Sequence, residues 1–282
     1  MLERTEILYG LVLPAVVSAL IAGVGAWRRW GWAMPLAAGV GFLASYGTMS
    51  APRWRPSDGF DWLFWLAIPA TFLGVLDAAT RRRWGWLLGA AAGAVAYVLV
   101  RPLSAGVEPR ALWAAAAAAA VAGVVLAAAA DVGQRRVGSM WTVGAFAVAM
   151  AGAGVMVFSS NFRTFGVYGL AAAAALGPVV VAAARTPDAA RGVAIVAGSV
   201  MAGLLVAGRF YADPGVTWAN VGVLLAAPAL LLVGAAAPTR RAWVRGVIGV
   251  LATAVAVGAV TGPAALEAKK AAETVDPYDA YR

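Results

Sequence analysis

Ten apolar stretches alternate along this chain with short turns rich in arginine, proline and tryptophan, and each stretch is about as long as a bilayer crossing. They run over approximately 7–27, 32–49, 62–79, 84–100, 111–130, 140–159, 165–184, 192–208, 216–237 and 243–262. A hydrocarbon core about 30 Å thick takes roughly 20 apolar residues per helix. Lipid offers no partner for backbone N–H and C=O groups, so a chain crosses it as a helix or a closed barrel, and runs of this length are helices. The expected fold is therefore an all-α polytopic transmembrane helical bundle. It has about ten spans arranged as five helical hairpins, with residues 1–264 in the membrane and 265–282 as a polar C-terminal tail. The eighth stretch is short and ends at Arg209, and the alanine-rich fifth, Ala114 to Ala120, depends on its neighbours for insertion. The first stretch reads as a span and not as a secretion signal, because its arginines, Arg28 and Arg29, follow the apolar run while Glu3 and Glu6 precede it.

Composition agrees with this pattern. Hydrophobic residues make up 62% of the 282 positions and charged residues only 12%, about half the share expected of a soluble domain. The net charge of +9 would raise the question of nucleic acid in a soluble protein. Here the basic residues lie at the ends of apolar runs, which makes them topology determinants and leaves no nucleic-acid partner. The turns after odd-numbered stretches hold Arg28, Arg29, Arg81, Arg82, Arg83, Arg135, Arg136, Arg185, Arg191, Arg240, Arg241 and Arg245, with only Asp77, Asp131 and Asp188 close by. The other face, termini included, balances ten bases with ten acids. Short loops rich in arginine stay in the cytoplasm, so the expectation is a cell (inner) membrane protein with these turns cytoplasmic and both termini outside. Tryptophans collect at the same levels, Trp27, Trp30, Trp32, Trp84, Trp86, Trp141 and Trp243 at the basic face and Trp54, Trp62, Trp113 and Trp218 at the other, as amphipathic rings do at headgroups.

One turn is repeated. Arg28-Arg29-Trp30-Gly31-Trp32 recurs as Arg82-Arg83-Trp84-Gly85-Trp86, followed in register by Ala37-Ala38-Gly39 and Ala91-Ala92-Gly93. This predicts a partial internal repeat of a helix pair. Pro14, Pro69, Pro178 and Pro228 fall inside stretches one, three, seven and nine, so the odd helices are expected to bend and the even ones to have no interior proline. Gly89 with Gly93, Gly152 with Gly154, and the alanine runs 114–120 and 171–175 predict close helix contacts.

Chemistry is sparse. Without histidine or cysteine the chain has neither the usual general base nor a thiolate, and no phosphate loop, serine triad or metal cluster is found. It is expected not to be an enzyme and to carry no cofactor and no metal. The one acidic residue inside a stretch is Asp77, four residues before Arg81, spacing that suits a salt bridge along one helix. Uncharged polar residues gather toward the other face: Ser45, Tyr46 and Thr48 in stretch two, Ser159 and Asn161 at the end of stretch six, and Asn220 opening stretch nine. If they converge, they suit a small neutral or zwitterionic solute; if they scatter, they hold helices together. Two readings follow. One is a small-solute permease, and the other a non-catalytic scaffold or subunit that meets a membrane-protein partner or a second copy of itself within the bilayer. A polar cavity at mid-membrane marks the first; a packed interior with an exposed apolar groove marks the second.

Overall fold

The computed structural model describes residues 3–50, 52–56, 59–80, 86–101, 108–186, 188–212 and 216–274, and among them the regular structure is entirely helical. Ten helices result: α1 (Arg4–Arg28), α2 (Ala33–Ser50), α3 (Gly59–Thr80), α4 (Trp86–Val100), α5 (Pro109–Arg136), α6 (Ser139–Ser159), α7 (Arg163–Ala183), α8 (Ala189–Tyr211), α9 (Trp218–Ala236) and α10 (Ala242–Thr274). Eight are long and apolar enough to cross a membrane. The exceptions are α2, diluted by Gly39, Gly41, Ser45, Tyr46, Gly47, Thr48 and Ser50, and the 15-residue α4. Much of each is covered by other helices, so protein stands in for lipid around them.

The bundle is built around α8. Every residue from Gly192 to Gly208 is buried, and α8 packs against α2, α3, α4, α5, α6, α7 and α9. The short apolar run 192–208 thus marks the most enclosed helix of the fold. Its small residues, Gly192, Ala194, Ala197, Gly198, Ala202, Gly203, Ala207 and Gly208, let neighbours approach on all sides. A helix apolar all round belongs in an interior.

Glycine pairs set the closest crossings. Gly74 of α3 meets Gly192 of α8, Gly89 of α4 meets Gly123 of α5, Gly154 of α6 meets Gly169 of α7, and Gly234 of α9 meets Gly249 of α10. A methyl on any of these would fall within 3.0 Å of the facing helix, usually of its backbone. Among consecutive helices the broadest contacts are α6 with α7 and α4 with α5; the pairs α3 with α4, α5 with α6 and α7 with α8 touch much less.

The prolines act individually. In α1 a π turn spans Leu8–Val12, around the Gly10 carbonyl that Pro14 leaves without its N–H donor. In α9 a 3-10 turn replaces the α-helix over Ala227–Leu230 at Pro228. By contrast α3 and α7 continue as α-helices through Pro69 and Pro178. An even helix does carry an interior proline: α10 runs through Pro263 to Thr274, well past the apolar stretch that ends near 262. Two hydroxyls from neighbouring helices bond backbone carbonyls near the prolines, Ser18 Oγ donating to the Ala175 carbonyl at 2.6 Å and Thr253 Oγ1 to the Ala227 carbonyl at 3.1 Å.

Candidate functional site

The chemistry that the described residues hold lies at the two ends of the bundle. At the basic end, Asp77 of α3 is almost fully buried, its side chain 2% exposed, and its carboxylate accepts a hydrogen bond from Arg191 Nη2 of α8 at 3.1 Å. The Gly74–Gly192 crossing makes this possible by bringing the two backbones together one turn from Asp77 and next to Arg191. Arg191 also lies 4.0 Å from Asp131 of α5, which pairs with Arg135 at 2.7 Å, and Gln134 reaches Asp188 at 3.5 Å. Gly31, in the first double-arginine turn, packs beside Asp188. The start of α10 joins the same end through the Trp141 ring on Gly246. Thus the ends of α3, α5 and α8 and the first basic turn meet in one charged layer, with the ends of α6 and α10 packed together at the same end of the bundle.

This layer gives Asp77 a partner that local spacing does not indicate, Arg191 on a different helix. The expected pairing with Arg81 falls outside the described residues, as do Arg82 and Arg83 of the repeated turn. Of the other topology arginines, Arg28 stacks over Trp27 at 4.8 Å and over Trp30 at 5.9 Å, and Trp30 stacks on Trp32. Arg29 takes a left-handed conformation, φ 57°, and closes α1 with Trp30 N–H on the Gly25 carbonyl. Arg240 and Arg241 are exposed in the turn before α10.

The opposite end is sealed by aromatic rings. Trp54, Trp65, Phe64, Tyr46, Tyr168, Phe165, Phe162 and Tyr211 form a continuous series of ring contacts that joins α2, α3, α7 and α8. Tyr46 and Tyr168 are fully buried and stack at 3.9 Å. The Tyr168 hydroxyl bonds Ser50 Oγ, and Tyr211 donates to the Leu99 carbonyl at 2.8 Å. Outside the rings Arg163 holds Glu6 at 2.6 Å, tying α7 to α1.

The polar residues expected to form a solute site separate into two groups. Ser45, buried, donates to Met49 Sδ at 3.8 Å; Tyr46 sits in the ring series; and Thr48 returns its hydroxyl to the Ala44 and Ser45 carbonyls. On the other side, Asn220 Nδ2 faces Met156 Sδ at 3.9 Å, while Ser159 ends α6 and Asn161 follows in a left-handed turn with φ 58°. Asparagine tolerates that conformation well. Tyr168, Arg191 and the ring series were missed as partners because each contact joins residues far apart in the chain.

Between the two ends, packing is close and apolar. One polar atom stands out: Ser199 Oγ, fully buried halfway along α8, has no hydrogen-bond partner. No group of three or more acidic, histidine or cysteine residues suited to a metal occurs among the described residues. Among the described residues, two apolar grooves of note open on the surface. One, about 540 Å³, lies between α5 and α9 over α8; the other, about 490 Å³, lies between α1 and α7 beside Arg185. Comparison with protein families, characterised proteins and solved structures finds no match for this chain.

Proposed function

We propose that this protein is a non-catalytic multi-pass membrane subunit, a packed scaffold that carries no solute across the bilayer. One observation carries the reading: α8 fills the axis of the bundle where a permease would keep its binding cavity, and it is enclosed along nearly its whole length. The buried charge layer at one end and the ring series at the other add to it, since both join helices that alternating access would need to separate. The proposal includes ten crossings, the arginine turns cytoplasmic and both termini outside the cell membrane; of the five expected hairpins, only α1 with α2 and α9 with α10 pack broadly as pairs. It also includes descent of the first two hairpins from one duplicated unit. Gly39 and Gly93, at equivalent positions of the repeat, each face the following helix, Gly39 at Thr71 and Gly93 at Ala116 and Ala120.

Ser199 favours the permease reading, because an unpartnered buried hydroxyl at mid-membrane is where a solute oxygen could bind. A flux assay separates the two. Proteoliposomes placed in a panel of neutral and zwitterionic osmolytes are expected to swell at the rate of protein-free liposomes. Saturable, protein-dependent swelling with any one of them would refute the scaffold.

A further inference from the structure

The groove between α5 and α9 has a defined depth. Its lining runs along α5 from Ala115 through Ala118, Ala122 and Val125 to Leu126, and along α9 from Trp218 to Ala226, with Val206 of α8 as floor. The eleven steps from Ala115 to Leu126 rise about 16 Å, half of a hydrocarbon core about 30 Å thick. The groove opens in the leaflet away from the basic turns; along α9 its lining stops where the helix turns 3-10 at Ala227, and along α5 it reaches Leu126, past the middle of the 111–130 stretch. Alanines on α5 and Gly222 on α9 create the space.

Its mouth is cationic. Arg209 follows Val206 by one turn on α8 and lies over the ring of Trp218, which lines the groove, at 5.6 Å. The Arg209 Nε is buried with no hydrogen-bond partner. Arg110, in the first turn of α5, lies on the helical stripe that continues through Ala117, Ala118, Val121 and Val125, all groove residues. Among the described residues neither arginine has an ion-pair partner, although Glu108 stands exposed at the N-cap of α5. The N-termini of α5 and α9 both open at this level and add their own attraction for anions.

We propose that this groove is a binding site for one anionic phospholipid of that leaflet. An acyl chain lies along the alanine face, and the phosphate is bound by Arg209 and Arg110. A transmembrane helix of a partner or of a second copy would need a groove as long as a full crossing, whereas this one runs about half that length, beneath two arginines that have no ion-pair partner among the described residues. Its volume is within the roughly 300–1,000 Å³ of ordinary small-molecule sites.

Native mass spectrometry of the full chain, delipidated in detergent and titrated with phosphatidylglycerol or phosphatidylcholine, tests this. One phosphatidylglycerol per chain is expected, bound at least about tenfold more tightly than phosphatidylcholine, the difference that one or two charge-assisted hydrogen bonds produce. Arg209→Gln and Arg110→Gln should each remove most of that preference. Gly222→Phe should abolish binding of both lipids; a Cβ at Gly222 meets nothing within 4 Å, and an unchanged melting temperature of the lipid-free variant is the check that its fold is kept. As an independent readout, phosphatidylglycerol with a photoreactive acyl chain should crosslink to peptides 115–126 and 218–226. Equal binding of the two lipids, undiminished binding by Gly222→Phe, crosslinks spread evenly over the lipid-facing helices, or a lipid-free dimer would each overturn the proposal.

Discussion

Asp77 and Arg191 each lie about one turn inside a span, a depth at which an unpaired charge is costly. Their pairing removes most of that cost. Removing one partner of a buried pair leaves the other uncompensated, a loss of about 3–5 kcal/mol. Asp77→Ala is therefore expected to lower the melting temperature in detergent sharply, and Arg191→Met by less, since Arg191 is 17% exposed and Asp131 lies within reach. The double variant Asp77→Leu with Arg191→Met should recover much of the loss, whereas additive losses would show that the two charges act separately. Asp77 itself was legible in the sequence as the one acidic residue inside an apolar stretch, but its partner was not. Local spacing points to Arg81, and only the Gly74–Gly192 crossing shows that α8 passes close enough to supply Arg191. Tyr46 is similar: its polarity is visible in the second stretch, while Tyr168, 122 positions later, is joined to it by tertiary packing alone.

At the scale of elements, hydropathy located all ten helices because length and polarity decide membrane helices more strictly than soluble ones. The misreadings have specific causes. Arg191 and Arg209 trimmed the eighth stretch, although both arginines belong to α8, where Asp77 neutralises the first and the Trp218 ring receives the second. Beyond the apolar stretch, α10 continues through Pro263 into Ala264, Ala265, Leu266, Glu267 and Ala268, all strong helix formers. Helix contacts depend on which glycines face which, and sequence shows glycines without their partners. A contrast tests this assignment. Gly192→Ala and Gly123→Ala place a methyl against facing backbone and should each cost about 1–3 kcal/mol through overpacking. Gly222→Ala, which meets nothing within 4 Å, should be neutral or raise stability by up to about 1 kcal/mol from helix propensity. Equal melting temperatures for all three would remove glycine contact as the basis of the packing.

At the scale of the whole molecule, two features of the sequence become one layout. Positive turns identify an end of the bundle, and the structure brings Gly31, Asp77, Asp131, Asp188, Arg191 and Trp141 together there. The aromatic series closes the other end, and α8 fills the space between. The central claim is that no aqueous route reaches the middle of this bundle, and since the chain has no cysteine, single thiols can be introduced without background. Ala242→Cys at the basic end, Trp54→Cys at the far end and Ser199→Cys at the centre would be reacted with a membrane-impermeant maleimide from one side at a time. The account expects Ala242→Cys to label only from the cytoplasm and Trp54→Cys only from outside, with Ser199→Cys protected from both until the protein is denatured. Labelling of Ser199→Cys in the intact membrane, from either side, would contradict it.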